Sequence, residues 1–160
     1  MSAKILFIGA SSNTQRRVQN HLVGNVEGSV LRKNLATEFG YDLNETYRPR
    51  GSKKIELRSK DKEEHITTYI KSGTWKYVEC ANKKEALELK SYVLRVINPK
   101  PVLNIDKGKW DFKKEDRYKV LMGQLIDLDE IPSHLIEKIP STPGVHLFLH
   151  ECTPKDYEGK

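Results

Sequence analysis

Two side chains suited to phosphate chemistry stand four residues apart near the start of the chain. Arg17 and His21 fall on a predicted helix, and i, i+4 spacing places both on one helix face. A guanidinium can bind a phosphate through two parallel hydrogen bonds, and an imidazole exchanges protons near neutral pH. An isolated Arg and His on a helix more often belong to a solvated surface, so the surrounding sequence must decide between these interpretations.

The charge balance favours a polyanionic partner. The chain has 28 Lys+Arg against 22 Asp+Glu, a formal net charge of +6 and a pI near 9.2, and a basic surface gains affinity for nucleic acid by releasing counterions. The most concentrated basic stretch, 48–54, contains Pro and Gly and is typical of an exposed loop, which could equally be simply solvated. The nucleic-acid contacts predicted on this basis are Arg16, Arg32, Lys33, Arg48, Arg50, Lys53 and Lys54.

Size and composition predict one globular domain over residues 1–160. Hydrophobic residues make up 37% and charged residues 31%, as in ordinary soluble proteins. No apolar run reaches the roughly 20 residues that span a bilayer, and the N-terminal sequence lacks a signal-peptide pattern. We therefore expect an intracellular protein, cytoplasmic or associated with a nucleoid or nucleus, with no membrane partner. Cys80 and Cys152 have no metal-site spacing and are expected to be reduced thiols.

The hydrophobic pattern predicts an α+β fold without βαβ alternation. Strands are expected at 4–9, 75–80 and 144–150, with a shorter one at 54–57 inside a polar excursion over 43–58. Helices are expected after caps at 11–13, over 29–39, from 59 or 61 to 72, over 82–97, and once or twice within 114–138, where Pro132 would break the helix.

Three segments together resemble the GIY-YIG nuclease family. Residues 7–21 are similar to its YIG strand and the following helix, which carries a catalytic Arg and a His one turn later; Arg17 and His21 match these two positions. Residues 85–104 resemble a later helix, in which a metal-binding Glu precedes a Pro and a Leu-Asn pair. Residues 139–148 resemble the PGVY opening of the family, as in the excision-repair incision subunit. The resemblance implies a small, mostly antiparallel sheet flanked by helices.

The order of these segments differs from the family's. There the GIY strand comes first and the YIG strand follows shortly after, whereas here the GIY-like strand is last. Residues 156–160, joined on paper to 4–9, reproduce the family's hairpin, which implies a circular permutation cut in that turn. Residues 4–104 and 139–160 would then form the family domain, and 105–138 a helical connector. We expect strands 4–9 and 144–149 to pair antiparallel, with the chain ends close together.

The resemblance also implies roles for the site residues. Arg17 would clamp the scissile phosphate, and His21 would hydrogen-bond the phosphate or the general base. The tyrosine of YIG is Phe7, which packs but cannot relay a proton. The tyrosine of GIY is His146, which could titrate near neutrality and act as the base, or could be a hydrogen-bonded histidine on a half-buried strand.

The largest departure is at the position of the metal-binding Glu. Aligning the Pro and the Leu-Asn pair places Lys90 there, and helical periodicity puts Glu88 on the opposite side and Glu85 on the flank. The family usually uses Mg²⁺ or Mn²⁺, but a lysine repels a cation, so no metal ligand is predicted. The Lys90 ammonium would pair with a phosphate or extend to the protein surface. Asn104 would position a phosphate or cap a loop.

Three functions remain open at this point. The first is phosphodiester hydrolysis of nucleic acid, DNA in the first instance, with His146 as base, Arg17 as clamp and Lys90 in place of the metal's charge. The second is a catalytically inactive relative that serves as a DNA-binding module. The third is a small-molecule or protein-interaction domain, since one fold supports many functions.

Overall fold

Six helices and six strands make up the described part of the protein, residues 4–96, 103–104 and 112–158 of a computed structural model. The strands are β1 (Lys4–Ser11), β2 (Asn44–Tyr47), β3 (Lys53–Glu56), β4 (Thr74–Glu79), β5 (Ile131–Pro132) and β6 (Gly144–His150). The helices are α1 (Thr14–Val23), α2 (Val30–Glu38), α3 (Lys60–Lys71), α4 (Lys83–Val96), α5 (Glu115–Asp127) and α6 (Pro154–Glu158).

The main sheet has the order β1-β6-β4-β5, and every neighbouring pair is antiparallel. The predicted pairing of the first and last strands is confirmed: Phe7 lies opposite Phe148, and Gly9 lies opposite His146. All seven residues of β6 are buried, as expected for a central strand covered on both faces. The predicted closeness of the chain ends concerns residues outside the described ranges.

Helices cover both faces of the sheet and divide the core into two hydrophobic clusters. One cluster includes Phe148 and Trp75 with residues of α1, α2 and α3, and the other includes Leu147 with residues of α4 and α5. Alternate residues of a strand face opposite sides. His146 therefore shares its side of the sheet with Phe148 and faces α1, which carries Arg17 and His21.

Polar caps begin α1 and α3 as predicted, and α2, predicted only to start at Ser29, begins with a cap as well. Asn13, Ser29 and Ser59 each accept a hydrogen bond through the side chain from a backbone N–H in the first turn of α1, α2 and α3. At the other end of α2, Gly40 adopts a φ of 79°, a left-handed conformation that costs glycine little. These signals are local, which is why the sequence positions the three helices closely.

Three segments differ from the sequence prediction. The excursion at 43–58 is a hairpin, with β2 paired to β3. Pro132 does not separate two α-helices but lies in β5, opposite Thr74, and a 3₁₀ segment, Ser133–Lys138, follows. A proline is tolerated there because β5 is an edge strand, where one backbone N–H is not needed by the sheet. The polar tail contains the short helix α6.

Two further expectations concern the membrane and the cysteines. No helix in the described ranges has the length and apolar character needed to cross a bilayer. Cys80 and Cys152 are both buried free thiols, and burial raises the pKa of Cys80 to about 12. A thiol with so high a pKa is unreactive at neutral pH.

Candidate functional site

The sequence-predicted residues meet in a cleft of about 250 Å³ between the β1–β6 edge of the sheet and helices α1, α2 and α4. Its lining residues in the described part of the chain are Phe7, Gly9, Ala10, Arg17, His21, Val30, Asn34, Lys90, Leu103, Asn104 and His146. All five residues proposed as catalytic, Phe7, Arg17, His21, Lys90 and His146, are in this list. Residues far apart in sequence are thus brought to one place.

Arg17 lies at the mouth of the cleft. The Asn13 cap fixes the start of α1, with the Arg16 backbone N–H donating to Asn13 Oδ1 over 3.0 Å, so Arg17 follows in the first turn. Arg17 is exposed, and it also lines an adjoining polar depression that includes Arg16 and Asn20. Its guanidinium can therefore reach an anion in either place.

His21 and His146 form a buried pair beneath Arg17. Their Nε2 atoms are 3.2 Å apart, and His21 Nδ1 is 2.6 Å from Ser29 Oγ. His21 stacks on Trp75, with ring centroids 6.1 Å apart, and meets Phe7 edge-on at 5.4 Å. Packing on three sides holds the His21 ring in place, so the orientation of the pair is fixed before any ligand arrives.

Burial and neighbouring cations lower the pKa of both histidines. Desolvation lowers the pKa of His146 most, and Arg17 and Lys90 lower it further. Desolvation also lowers the pKa of His21 most, followed by His146, Arg17 and Arg32. The prediction that His146 titrates near neutrality is therefore wrong, because its ring is fully buried among positive charges. Both rings are neutral at pH 7, and His146 is a weak base in the free protein.

Gly9 lets the His146 ring lie against β1. A Cβ at this position would be 2.3 Å from His146 Nε2, closer than two unbonded atoms can approach. The glycine of the YIG-like segment is therefore required by close packing, since no positive φ is found there.

Lys90 lines the same cleft as Arg17, on the face of α4 that periodicity predicts. Glu88 points away, as predicted: it accepts a hydrogen bond from the Tyr118 hydroxyl and pairs with Lys114 at 3.8 Å. Glu85 accepts from the Ala81 backbone N–H and pairs with Arg117 at 3.3 Å. Both carboxylates are held on the α5 side of α4, away from the cleft.

The cleft does not fit the divalent cation that the family's usual site holds. None of its described lining residues is a carboxylate, and two cationic side chains face it. Nor does any group of three or more His, Cys, Asp and Glu residues suited to a metal occur within 4–96, 103–104 and 112–158. Magnesium and manganese prefer oxygen ligands, and a lysine and an arginine repel them.

Asn104 closes the outer edge of β1. Its Oδ1 accepts from the Ile8 backbone N–H over 2.7 Å, and its Nδ2 donates to the Ile8 carbonyl over 3.0 Å. The preceding Leu103 N–H donates to the Leu6 carbonyl over 3.0 Å, and Asn34 Nδ2 donates to the Leu103 carbonyl over 2.6 Å. The Leu-Asn pair thus satisfies the sheet edge while lining the cleft, which favours the capping alternative for Asn104.

Arg32 is the clearest correction among the predicted nucleic-acid contacts. Its side chain is completely buried, donates to the carbonyls of His21 and Leu22, and pairs with Glu63 at 3.0 Å. A guanidinium in that position cannot reach an external phosphate. Arg32 instead joins the end of α1 to α3 from within α2.

The other predicted contacts lie outside the cleft. In the hairpin, Arg48 pairs with Glu27 at 2.6 Å, Lys53 pairs with Glu45 at 2.7 Å, and Lys54 lies 3.7 Å from Glu27. These ion pairs reduce the positive charge that the basic loop offers to an anion. Arg16 and Arg50 are exposed, and Lys33 is half-buried.

Sequence reasoning missed three residues of the site. Ser29 and Val30 were predicted only as the start of α2, and Asn34 only as part of it. The contact between Ser29 and His21 spans eight residues and crosses two helices, so no periodic pattern signals it. Val30 leaves 51% of its surface exposed beside the cleft, although it is apolar.

Comparison with known proteins gives the class. The profile of the GIY-YIG catalytic domain matches residues 1–122, and the chain belongs to this family. No curated protein and no solved structure matches it. GIY-YIG catalytic domains are nuclease domains, so membership implies phosphodiester hydrolysis of a nucleic acid. The matched range contains β1 to α4 and ends within α5, before β6.

Proposed function

We propose that this protein acts on DNA as an endonuclease of the GIY-YIG class, with its chemistry in the cleft between α1, α4 and β6. The convergence of Arg17, Lys90 and the His21–His146 pair on one cleft carries the proposal. Two cationic groups and two neutral imidazoles suit a phosphodiester, which has a single negative charge and several acceptor oxygens.

Arg17 is the phosphate clamp in this proposal. Its guanidinium can bind two non-bridging oxygens at once and hold the charge that develops in the transition state. Lys90 provides a second positive charge at the position where the family carries its metal-binding Glu. Phe7 is buried and packs edge-on against His21.

In this proposal the attacking water is not activated by a general base whose pKa lies near 7. The two histidines have lowered pKa values, so they take up a proton only at low pH. We therefore expect a slow reaction whose rate rises with hydroxide concentration above pH 7. A general base with a pKa near 6.5 would instead give a plateau there.

A second candidate function is DNA binding without turnover. The lining of the cleft favours it, because none of the described lining residues is a carboxylate and the histidines are weak bases. Such a protein would keep the phosphate site and lose hydrolysis.

We also propose that β6 is the family's GIY strand in a permuted position. The match to the family ends at residue 122, yet β6 completes the sheet beside β1 and places His146 opposite Gly9. Pairing of these two strands is what a permuted GIY-YIG hairpin requires. Residues 105–138 then serve as the connector, of which α5 packs on α4 and β4.

A plasmid-nicking assay tests the function. Supercoiled DNA is incubated with the protein in Mg²⁺, in Mn²⁺ and in EDTA, beside Arg17→Ala and the charge-matched control Arg58→Ala, which lies outside the cleft. The endonuclease proposal expects nicking that persists in EDTA and falls at least about 100-fold in Arg17→Ala alone.

Two other outcomes are informative. Salt-sensitive DNA binding that Arg17→Ala weakens, without nicking, supports the binding module. Neither nicking nor binding at low salt overturns both functions. RNA of the same sequence as the DNA, tested in parallel, shows which polymer is preferred.

A further inference from the structure

A polar depression of about 270 Å³ adjoins the cleft along the exposed side of α1. Its lining residues in the described part of the chain are Ser11, Ser12, Asn13, Arg16, Arg17 and Asn20. Arg17 also lines the cleft, whereas Arg16 and Asn20 line the depression and not the cleft. The two recesses are therefore neighbours that have Arg17 in common.

The charge of the depression favours an anion. Arg16 and Arg17 are cationic, and none of the described lining residues is a carboxylate. Neither guanidinium forms an ion pair or a hydrogen bond within 4–96, 103–104 and 112–158, in contrast to Arg48 of the hairpin, which pairs with Glu27. Both guanidiniums can therefore bind an oxyanion without first breaking a contact inside the protein.

The depression offers side chains to a ligand, and not only the N-terminus of a helix. The backbone N–H groups of Thr14, Gln15 and Arg16 already donate to acceptors within the protein, over 2.9, 3.2 and 3.0 Å. A ligand in the depression therefore meets side chains, and those of Arg16 and Asn20 are exposed.

Ser11 is the buried member of the lining. It lies on the same face of β1 as Phe7 and Gly9, which line the cleft, so its side chain is directed to the α1 side of the sheet. Ser11 is 4% exposed, and its Oγ has no hydrogen-bond partner among the described residues. A buried hydroxyl without a partner is costly unless an ion or water lies near it. The direct contacts with a ligand are nevertheless assigned to exposed side chains alone, because Ser11 Oγ is covered.

Arg16 and Arg17 are suited to two different anions. Successive residues of an α-helix point about 100° apart, so neighbouring side chains do not face each other. Arg17 can accordingly reach the cleft, while Arg16 is confined to the depression. Asn20 lies one turn after Arg16, on the same side of α1, and its amide is a second donor for an anion there.

We propose that the depression is a second phosphate subsite, which binds the phosphate next to the scissile one on the same strand. Arg16 and Asn20 hold this second phosphate while Arg17 binds the phosphate in the cleft. The ligand that fits has two phosphates joined by one nucleoside, as a polynucleotide has and a small phosphate ester lacks. That the two phosphates belong to DNA cut in the cleft rests on the proposed function, whereas the affinity for two linked phosphates does not.

Two ligands that differ by one phosphate test the subsite. The thymidine dinucleotide has one phosphate, and the same dinucleotide phosphorylated at its 5′ end has two. We expect the wild type to bind the phosphorylated form at least about tenfold more tightly at low salt, measured by calorimetry, because one further charge-assisted contact forms. Arg16→Ala should remove this gain and leave the affinity for the dinucleotide with one phosphate unchanged.

Arg58→Ala is the control, because Arg58 is an exposed arginine outside both recesses. We expect this variant to keep the gain in affinity, and circular dichroism to show that both variants are folded. Equal affinity of the wild type for the two ligands overturns the proposal, as does binding of neither ligand. An equal loss for both ligands in Arg16→Ala also overturns it, and so does the same loss of the gain in Arg58→Ala.

The plasmid-nicking assay separates this proposal from the proposed function. If Arg16→Ala loses the gain from the second phosphate while the wild type leaves plasmid DNA uncut, the endonuclease function fails and the subsite stands. Nicking that depends on Arg17, without any gain from the second phosphate, overturns the subsite and leaves the endonuclease function in place.

Discussion

At the scale of single residues, Lys90 and Arg17 bring two positively charged side chains to the lining of the cleft. If Lys90 stands where the family carries its metal-binding Glu, as we propose, the local charge differs by about two units at neutral pH, and Arg17 already faces the same space. An anion is attracted to such a site and a divalent cation is repelled.

Lys90→Glu should make the cleft more attractive to a divalent cation than to an anion. We expect the variant to bind Mn²⁺, measured by calorimetry, and to lose at least about tenfold in DNA affinity at low salt, because a negative charge now faces the phosphate. Lys84→Glu makes the same charge change at an exposed position of the same helix and should bind no Mn²⁺. A Lys90→Glu protein that fails to bind Mn²⁺ would count against the alignment of Lys90 with the family's Glu.

The buried histidine pair should make the protein acid-sensitive. Folding lowers the pKa of His21 and His146 below the ordinary 6.5, so below about pH 6.5 the unfolded chain binds more protons than the folded one. The free energy of unfolding is therefore constant above this pH and falls below it, by up to about 1.4 kcal/mol per pH unit for each histidine.

Urea unfolding between pH 5.0 and 7.5 measures this slope, in a range above the ordinary pKa of the carboxyl groups. In His146→Gln we expect the slope of the unfolding free energy against pH, below pH 6.5, to decrease by up to about 1.4 kcal/mol per pH unit, the contribution of one histidine. His134→Gln, at an exposed site, should leave it unchanged. Equal slopes in the wild type and His146→Gln would contradict the low pKa.

At the scale of elements, the site depends on how closely β1 and β6 approach. The register places Gly9 opposite His146, and the His146 ring occupies the space where a Cβ would be. The Leu-Asn pair then bonds the other edge of β1 at Leu6 and Ile8. β1 is therefore fixed from both sides, and a change in its spacing is transmitted directly to the histidine pair.

Gly9→Ala tests this dependence. The added methyl group overlaps the His146 ring, so we expect a loss of about 1–3 kcal/mol in the free energy of unfolding together with weaker phosphate binding. Gly123→Ala is the matched control: a Cβ there meets nothing within 4 Å, and alanine should stabilise α5 by about 0.5–1 kcal/mol. Calorimetric or urea unfolding of both variants measures these changes. A Gly9→Ala protein with an unchanged free energy of unfolding would contradict the close packing of His146 against Gly9.

The same elements show how much the sequence could predict. The starts of α1, α2 and α3 follow from Asn13, Ser29 and Ser59, because a cap acts within one turn. The hairpin β2–β3 and the role of Pro132 were missed, because strand pairing depends on partners that a local window does not contain. Helical periodicity correctly predicted the face of α4 on which Lys90 lies, because that pattern is local to one helix.

The contact between His21 and His146 spans 125 residues and became visible only in the folded chain. The family resemblance brought both residues to the same site, but it could not give their distance or burial. The pKa of His146 was misjudged for that reason, since burial is a property of the assembled core. Arg32 was misjudged likewise: its type suggested a surface contact, and tertiary packing buried it.

At the scale of the whole molecule, two strands that lie far apart in the sequence pair as neighbours in the sheet. β1 and β6 lie at opposite ends of the sequence, and their pairing requires the chain between them to return to its start. Lys4 lies opposite His150, and the Tyr157 ring is 6.0 Å from the His150 ring. The last described residues are thus near the first strand, as the permuted hairpin that we propose requires.

A rearranged chain tests the permutation. Residues 130–160, a short Gly-Ser linker and residues 1–129 are joined in that order, with the new termini in the exposed segment 129–130. We expect a folded protein whose free energy of unfolding lies within about 2 kcal/mol of the original, because a short linker costs little closure entropy. Circular dichroism and urea unfolding measure the fold and its stability. DNA binding and its dependence on Arg17 should also be retained, which binding assays over a series of salt concentrations measure. If the rearranged chain stays unfolded, the GIY-like and YIG-like strands cannot be joined as a hairpin by this linker. In that case β6 would be an addition to the family fold and not its displaced first strand.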